Sequence, residues 1–390
     1  MKKILLISPQ PFFQWRGSPI RVAFNLLALT QSGYKVDLLT LPIGEKREIT
    51  GAKIIRVANP LRIDNVPIGP SLAKLFFDLL ILFKGISLCL KNRYDVIHGI
   101  EEAGMIAVLL AKLFKAKVIF EKHSDPFSYK KGVLRNLIMK LYSMVEQIAV
   151  RFADAVICTG PGLVCQVESM GTGTRAFHIF DIPSSLSEPA TDEVERLQKE
   201  LQQQPDEILI TFVGSFAVYQ GVDLMFAAIP YVVADCPQVR FIVIGGSDKE
   251  IMERKAILAK NGMAEKISFL GKVAPDLLPN YLAASDILLS PRISGVNTPL
   301  KILDYMKVGR AIVATDVESN RLLVDETTAL LAEPDPVAFA NAIGSLSRDQ
   351  VKRDAMGKAG RHLYETRYNF QTYRQRLADC YTYVLKGSSE

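Results

Sequence analysis

Twice along its 390 residues the chain sets up the same alternation: a short apolar, β-branched run, a turn, then a stretch with apolar residues three to four apart. The first series of short runs is KILLIS (3–8), KVDLLTL (35–41), AKIIRVA (52–58), DVIHG (95–99), KVIFEKH (117–123) and DAVICTG (154–160). Segments with helical spacing, such as 20–32, 103–114 and 133–152, lie between most of them. Nearly all-apolar strands have no face to give to water, and strands joined by helices run parallel. The pattern therefore predicts a parallel sheet covered on both sides.

The rhythm stops at DIPSSLSEPATDEVERLQKELQQQPDE (181–207), a polar stretch with prolines near both ends. It restarts with EILITFVGS (207–215), VRFIVIGG (239–246), KISFLGK (266–272), DILLSPR (286–292), RAIVATD (310–316) and TALLAEP (328–334). A chain of this length exceeds what one core usually supports. The expected fold is α/β, with two Rossmann-like doubly wound domains facing a central cleft where the carboxyl ends of the strands bind ligands. The domains are expected over 1–185 and 206–369, with 186–205 as linker. The segment 349–387 reads as two helices broken near Tyr368-Asn369, with 370–390 crossing back to pack on the first domain.

Charge divides the halves. Residues 1–180 carry 24 Lys and Arg against 13 Asp and Glu, while the rest carry 23 against 28. A basic first half suits an anionic partner, or else it holds scattered solvating lysines. Nucleic acid is not expected, since no recognition module is present and the aromatics form no stacking surface. Five widely spaced cysteines without metal-type spacing fit reduced thiols in a cytoplasmic setting. The opening MKKILLISPQP has too short an apolar run for a signal peptide and reads as a strand. The greasiest stretch, 75–90, carries Asp78 and Lys84 and falls short of a membrane span; it is either a core helix or one lying on a membrane.

Two glycine-marked turns carry the chemistry. In ITFVGSFAVYQGVDLMFAA a strand runs into Gly214-Ser215, and Gly221 opens a helix. In SPRISGVNTPLKILDYMKVG a polar loop leads into a helix whose first turn holds Lys301, a misfit to the helix dipole unless an anion offsets it. Asp304, one turn on, is either a hydroxyl acceptor or a solvent-facing carboxylate.

Taken in order with ILLISPQPFFQWRGSPIRVAFNLL, YDVIHGIEEAG, VIFEKHSDP and VESNRLLVDETTALLAEPDPVAFANAI, these stretches resemble the retaining, nucleotide-sugar-dependent glycosyltransferases of family four, which have the GT-B fold. The resemblance spans nearly the whole chain. It implies that Gly17 lets acceptor and donor phosphate approach the backbone and that His123 contacts the transferred sugar, as the catalytic residue. By the same resemblance Gly214 opens the diphosphate loop, Gly271, Lys272 and Val273 meet the base, and Asp304 holds the ribose.

Three departures stand out. Ser215 and Gln220 replace the family's arginine and lysine, Val296 replaces the first of its paired glutamates, and Asp304 is an aspartate. Lys301, Arg292, the Ser215 hydroxyl and the backbone from Asn297 and Thr298 through Pro299, which has no N–H to give, to Leu300 are the available compensation for leaving-group charge. No Asp-x-Asp ends a strand, so no metal and no resident cofactor are expected. Trp15, Arg16 and His98 are the candidate acceptor contacts.

The expectation is a cytoplasmic retaining glycosyltransferase, hexosyltransferase in type, serving cell-surface polysaccharide or glycolipid synthesis. It moves sugar from a nucleotide-sugar donor to a glycan or lipid-linked acceptor, with peripheral contact at the inner face of the cytoplasmic membrane through the basic domain. The alternatives are a catalytically silent sugar-nucleotide-binding subunit and a sugar-nucleotide epimerase of the same fold.

Overall fold

A computed structural model describes residues 1–13, 17–64, 66, 71–124, 133–295 and 298–387, with the side chains of 133–139 excepted. The chain divides into two compact units, one of Met1–Asp181 with Phe370–Glu390, the other of Ile182–Asn369.

The first unit holds β1 (Lys3–Ser8), β2 (Lys35–Thr40), β3 (Ala52–Arg56), β4 (Val96–Ile100), β5 (Lys117–Lys122), β6 (Ala155–Cys158) and β7 (Ala176–His178). They form one sheet in the order β3-β2-β1-β4-β5-β6-β7, parallel at every pairing, with Ile4 beside Val36 and Val96 on its two flanks. All five residues of β4 are buried. The apolar run without alternation thus reflects a strand covered on both faces. The second unit holds β8 (Ile208–Val213), β9 (Val239–Ile244), β10 (Ile267–Gly271), β11 (Ile287–Ser290), β12 (Ala311–Thr315) and β13 (Leu330–Ala332), also all parallel, in the order β10-β9-β8-β11-β12-β13.

Both sheets reverse their winding beside their first strand, at β1/β4 and at β8/β11. Such reversals leave a crevice at the carboxyl ends of the strands.

Two details differ from the sequence reading. The three-residue strand β7 was too short to register as a run. The 186–205 segment is not a free linker: it lies inside the second unit and carries the helix Thr191–Leu201, whose Leu197 and Leu201 are buried. Its charges are the solvent face of an amphipathic helix, with Arg196 bridging Glu193 and Glu200.

The stretch 75–90 belongs to the helix Leu72–Lys91, started by Ser71 Oγ accepting from the Lys74 amide. Phe77, Ile81, Gly85 and Cys89 form one buried stripe, so the helix is half core rather than wholly so. The last helix, Phe370–Lys386, packs on the helix Gly17–Gln31 of the first unit.

Candidate functional site

In the second unit β8 ends at Val213 and β11 at Ser290, side by side at the sheet reversal. Tyr305 ties the two ends together: its hydroxyl accepts from the Val213 amide (3.3 Å) and donates to the Leu289 carbonyl (3.1 Å). Gly214 follows β8. A Cβ there would stand 3.0 Å from Lys301 Nζ and 3.1 Å from the Phe212 ring, tight contacts to which the end of the lysine would have to yield.

Lys301 lies in the first turn of the helix Leu300–Val308, which no side chain caps. Its Nζ is buried, 4.2 Å over the Phe212 ring, and has no hydrogen-bond partner among the described residues. Gln220 Oε1, also buried and without a partner, faces the same spot. Burial, with the nearby Arg292 charge, lowers the Lys301 amine from 10.5 to about 7. Arg292 is itself buried, its guanidinium 5.4 Å over Tyr219 and its Nε donating to the Ser294 carbonyl (2.8 Å). Two cations and free helix amides thus converge where no carboxylate pairs with them among the described residues. A polyanion is the ligand this chemistry fits.

Asp304 is buried one turn beyond Lys301. The Ser184 amide donates to its Oδ1 (2.7 Å), and the Ser184 hydroxyl lies 3.0 and 2.9 Å from its two oxygens. Burial raises the carboxyl from 3.8 to about 6, and the Ser184 hydrogen bonds oppose part of that rise. Lys307, a further turn on, donates to the carbonyls of Ser185 and Ser187. Asp304 is therefore not the solvent-facing carboxylate that spacing alone allowed. Ser215 and Lys272 are exposed, Gly271 and Val273 half-buried, and Gly271 ends β10 at the same edge. Pro299 is buried at the helix start, with Thr298 half-buried before it. Asn297, like Trp15 and Arg16, lies outside the described residues.

The first unit places His123 just after β5. Its Nδ1 is 2.9 Å from Ser18 Oγ, next to Gly17 at the start of the helix Gly17–Gln31, and its Nε2 is 3.0 Å from Glu121 Oε1. The structure thus brings Gly17 and His123 together at one strand end. Glu121 is fully buried in β5. Burial pushes its carboxyl up, but the Arg21 charge and hydrogen bonds from His123 and His98 outweigh that and hold it well below the usual range. A carboxylate accepts only, so His123 Nε2 carries a hydrogen. Arg21 pairs with Glu121 and, at 2.9 Å, with Asp181; Asn25 Nδ2 donates to Glu121 Oε2 (2.7 Å).

His98 does not serve as an acceptor contact. It has no exposed surface, its Nδ1 lies 2.8 Å from the Tyr381 hydroxyl and its Nε2 3.0 Å from Glu121 Oε2. Unlike His123, which follows its strand, His98 lies in the middle of β4, and the terminal helix covers it. Glu101, missed in the sequence, follows β4 with φ +52°, a costly setting for a non-glycine residue. Its carboxylate accepts from the His123 amide (2.6 Å) and lies 3.3 and 3.2 Å from Ser124 Oγ, fixing the loop after β5. The available signal was a carboxylate pair, Glu101-Glu102, at a strand end.

Among the described residues no group of three or more His, Cys, Asp or Glu side chains could hold a metal ion, and no helix is long and apolar enough to cross a membrane. The five cysteines are unpaired.

Residues 18–179 match the family described as Glycosyl transferase 4-like domain, and residues 207–349 match Glycosyl transferases group 1. The phosphatidyl-myo-inositol mannosyltransferase of Mycobacterium leprae is 26% identical over 184 residues, 46% of this chain and 48% of that one, so the chain spans about half the length of that relative. The D-inositol 3-phosphate glycosyltransferase of Corynebacterium kroppenstedtii is 23% identical over 399 residues, covering 95% of this chain and 86% of that one. Among solved structures, sucrose-phosphate synthase from Thermosynechococcus elongatus superposes with a TM-score of 0.78 at 21% identity, covering 98% of each chain. Anabaena HepE in complex with UDP and glucose superposes with a TM-score of 0.74 at 16% identity, covering 98% of this chain and 100% of that one. At these identities the two structures speak for the fold, which is GT-B.

Proposed function

Since the chain belongs to the group 1 glycosyltransferases with a family-four-like first domain, we propose that it moves a sugar from a nucleotide diphosphate sugar to a glycan or lipid-linked acceptor, with retention at the anomeric carbon. The observation that carries this reading is the buried Lys301 ammonium, which has no hydrogen-bond partner among the described residues, at an uncapped helix mouth. The diphosphate would lie there, its charge offset by Lys301, Arg292 and the helix amides, and the transfer would need no metal. The bond from the anomeric carbon to the diphosphate oxygen breaks, the acceptor oxygen bonds to the same face of that carbon, and its proton passes to the departing phosphate.

In this reading Asp304 meets the ribose by exchanging Ser184 for a sugar hydroxyl. His123 Nδ1 likewise exchanges Ser18 for a hydroxyl of the transferred sugar, while Glu121 holds the ring in place. The relatives named for inositol lipids and inositol phosphate make a phosphate-bearing acceptor the first class to try. The basic first unit would then meet the acceptor at a membrane surface on the cytoplasmic side, where five unpaired cysteines are at home.

Melting the protein with UDP, GDP, ADP and their sugars tests the donor site, since a ligand of the folded state raises apparent stability. One nucleotide should raise the melting temperature, and chelator should leave turnover unchanged. No shift with any nucleotide, or turnover lost to chelator and restored by manganese, would refute the corresponding part. His123→Ala should keep the nucleotide shift and lose transfer.

A further inference from the structure

We propose that one face of the first unit, built from the helices Leu72–Lys91, Ala103–Phe114 and Val133–Phe152, docks on an anionic lipid bilayer. This goes further than the membrane contact put forward above, on which it rests, by assigning the surface and its chemistry. The helix Ala103–Phe114 packs between the other two, so their outer sides are continuous.

On the first helix Leu72, Leu75, Leu79 and Phe83 recur at helical spacing on the side opposite its buried stripe, with Leu72 86% and Phe83 65% exposed. The middle helix adds exposed Leu109 and Leu113. The third adds exposed Leu141, Met144, Val145, Ile148 and Phe152. Scattered exposed leucines need no explanation, but three adjacent helices each showing an apolar outer side do.

Charge chooses the occupant. The exposed charged groups described on these helices are Lys84, Lys91, Lys112, Lys140 and Arg151, all cationic. The only acids in the three helices are Asp78 and Glu146. Asp78 faces inward, where burial and then Glu102 raise its carboxyl to about 7, and Glu146 is buried against Lys122. Lys112 Nζ sits 4.6 Å from the centre of the Phe152 ring, so cation and apolar surface alternate across the helix boundary. At the far end of the face a cavity of about 370 Å³, lined by Cys89 to Tyr94 and Phe114 to Ala116, adds Arg93 and Lys115 to Lys91. An apolar field studded with lysines and free of exposed acids is the complement of an anionic bilayer interface, where each cation adds to the attraction. A second copy of the same face would set cation against cation.

The near end of this face adjoins the candidate site. Lys74, one residue from Leu75, pairs with Glu102, which follows the Glu101 that accepts from the His123 amide. A lipid-borne acceptor would reach the site along the surface on which its bilayer rests.

The test is sedimentation of the whole chain with vesicles of phosphatidylcholine, alone or mixed with phosphatidylglycerol. The protein should sediment only with the mixed vesicles, and added salt should release it. Lys112→Gln with Lys140→Gln should lower partitioning roughly thirtyfold, from about fivefold per cation, and Leu79→Ser with Phe83→Ser should abolish it. Both variants should keep the wild-type melting temperature and nucleotide-induced shift. Equal binding to both vesicle types, binding that survives both double substitutions, or a wild-type dimer that Leu79→Ser with Phe83→Ser turns into a monomer without vesicle binding would overturn the proposal. Vesicle binding lost in the variants, in a protein that no nucleotide stabilises, would uphold the docking face and sink the transferase reading instead.

Discussion

Replacing Lys301 by methionine should make the ligand-free protein more stable and a worse nucleotide binder. Its amine is held at about 7 in the fold against 10.5 when free, chiefly by burial. Between those values the folded state binds fewer protons than the unfolded one, so wild-type stability rises with pH from about 7 to 10.5, and below 7 the penalty is complete. That penalty is on the order of 5 kcal/mol at 1.36 kcal/mol per pH decade. Methionine fills similar space without a charge to desolvate, so the variant should melt higher at pH 6. Each kcal/mol gained should appear as about 2–4 °C in a unit of this size. Its melting temperature should also lose the rise between pH 7 and 10.5. A charged hydrogen bond to phosphate is worth about 1.5–3 kcal/mol, so affinity for the matching nucleotide should fall roughly ten- to hundredfold. The assay is thermal melting from pH 6 to 10, with and without nucleotide. A variant that melts lower at pH 6 and binds nucleotide as tightly as wild type would falsify the assignment of Lys301 as a cation kept waiting for an anion.

Asp304→Asn should flatten the pH dependence of stability between about pH 4 and 6. The wild-type carboxyl titrates at about 6 in the fold against 3.8 when free, so the folded state holds the extra proton and wild-type stability falls as pH rises through that window. A variant profile that keeps the wild-type slope would contradict this. Glu121→Gln should cost about 3–5 kcal/mol in urea unfolding, because it leaves Arg21 charged, buried and poorly paired; a loss under 1 kcal/mol would show that the network relaxes. Gly221→Ala should lower stability by more than about 2 kcal/mol. At φ +68° its new Cβ would sit 1.7 Å from the Pro291 carbonyl oxygen, so a variant as stable as wild type would refute the geometry of that turn.

The two sheets were legible because fully buried parallel strands announce themselves as uninterrupted apolar runs, and Lys301 because a cation at a helix start is locally unfavourable. Asp304 was half legible. Its place one turn past Lys301 follows from helical spacing, but Ser184 arrives from 120 residues away, and no local pattern carries that pairing. Glu121 was the missed clue. A carboxylate inside VIFEKH, in a strand covered on both faces, must have a charged or hydrogen-bonding partner, and a search for one would have pointed to Arg21 in the facing helix. His98 misled because it lies inside β4 rather than at its end, and a local run does not reveal that another element covers it. Tyr381, which closes it, lies 283 residues away.

That closure has a consequence for biosynthesis. Tyr381 reaches His98 and Tyr373 donates to Asn25 (2.6 Å), so the helix supplying these partners of the first unit's buried polar groups is made only after the whole Ile182–Asn369 unit. The Ile182–Asn369 unit is contiguous and can complete itself during synthesis. The first unit must wait as an unfinished sheet, with Asn25 and His98 unsealed, until the helix Phe370–Lys386 has been made. The portion made first is therefore finished last, and an arrested nascent chain ending before Phe370 would expose that open core to holding chaperones.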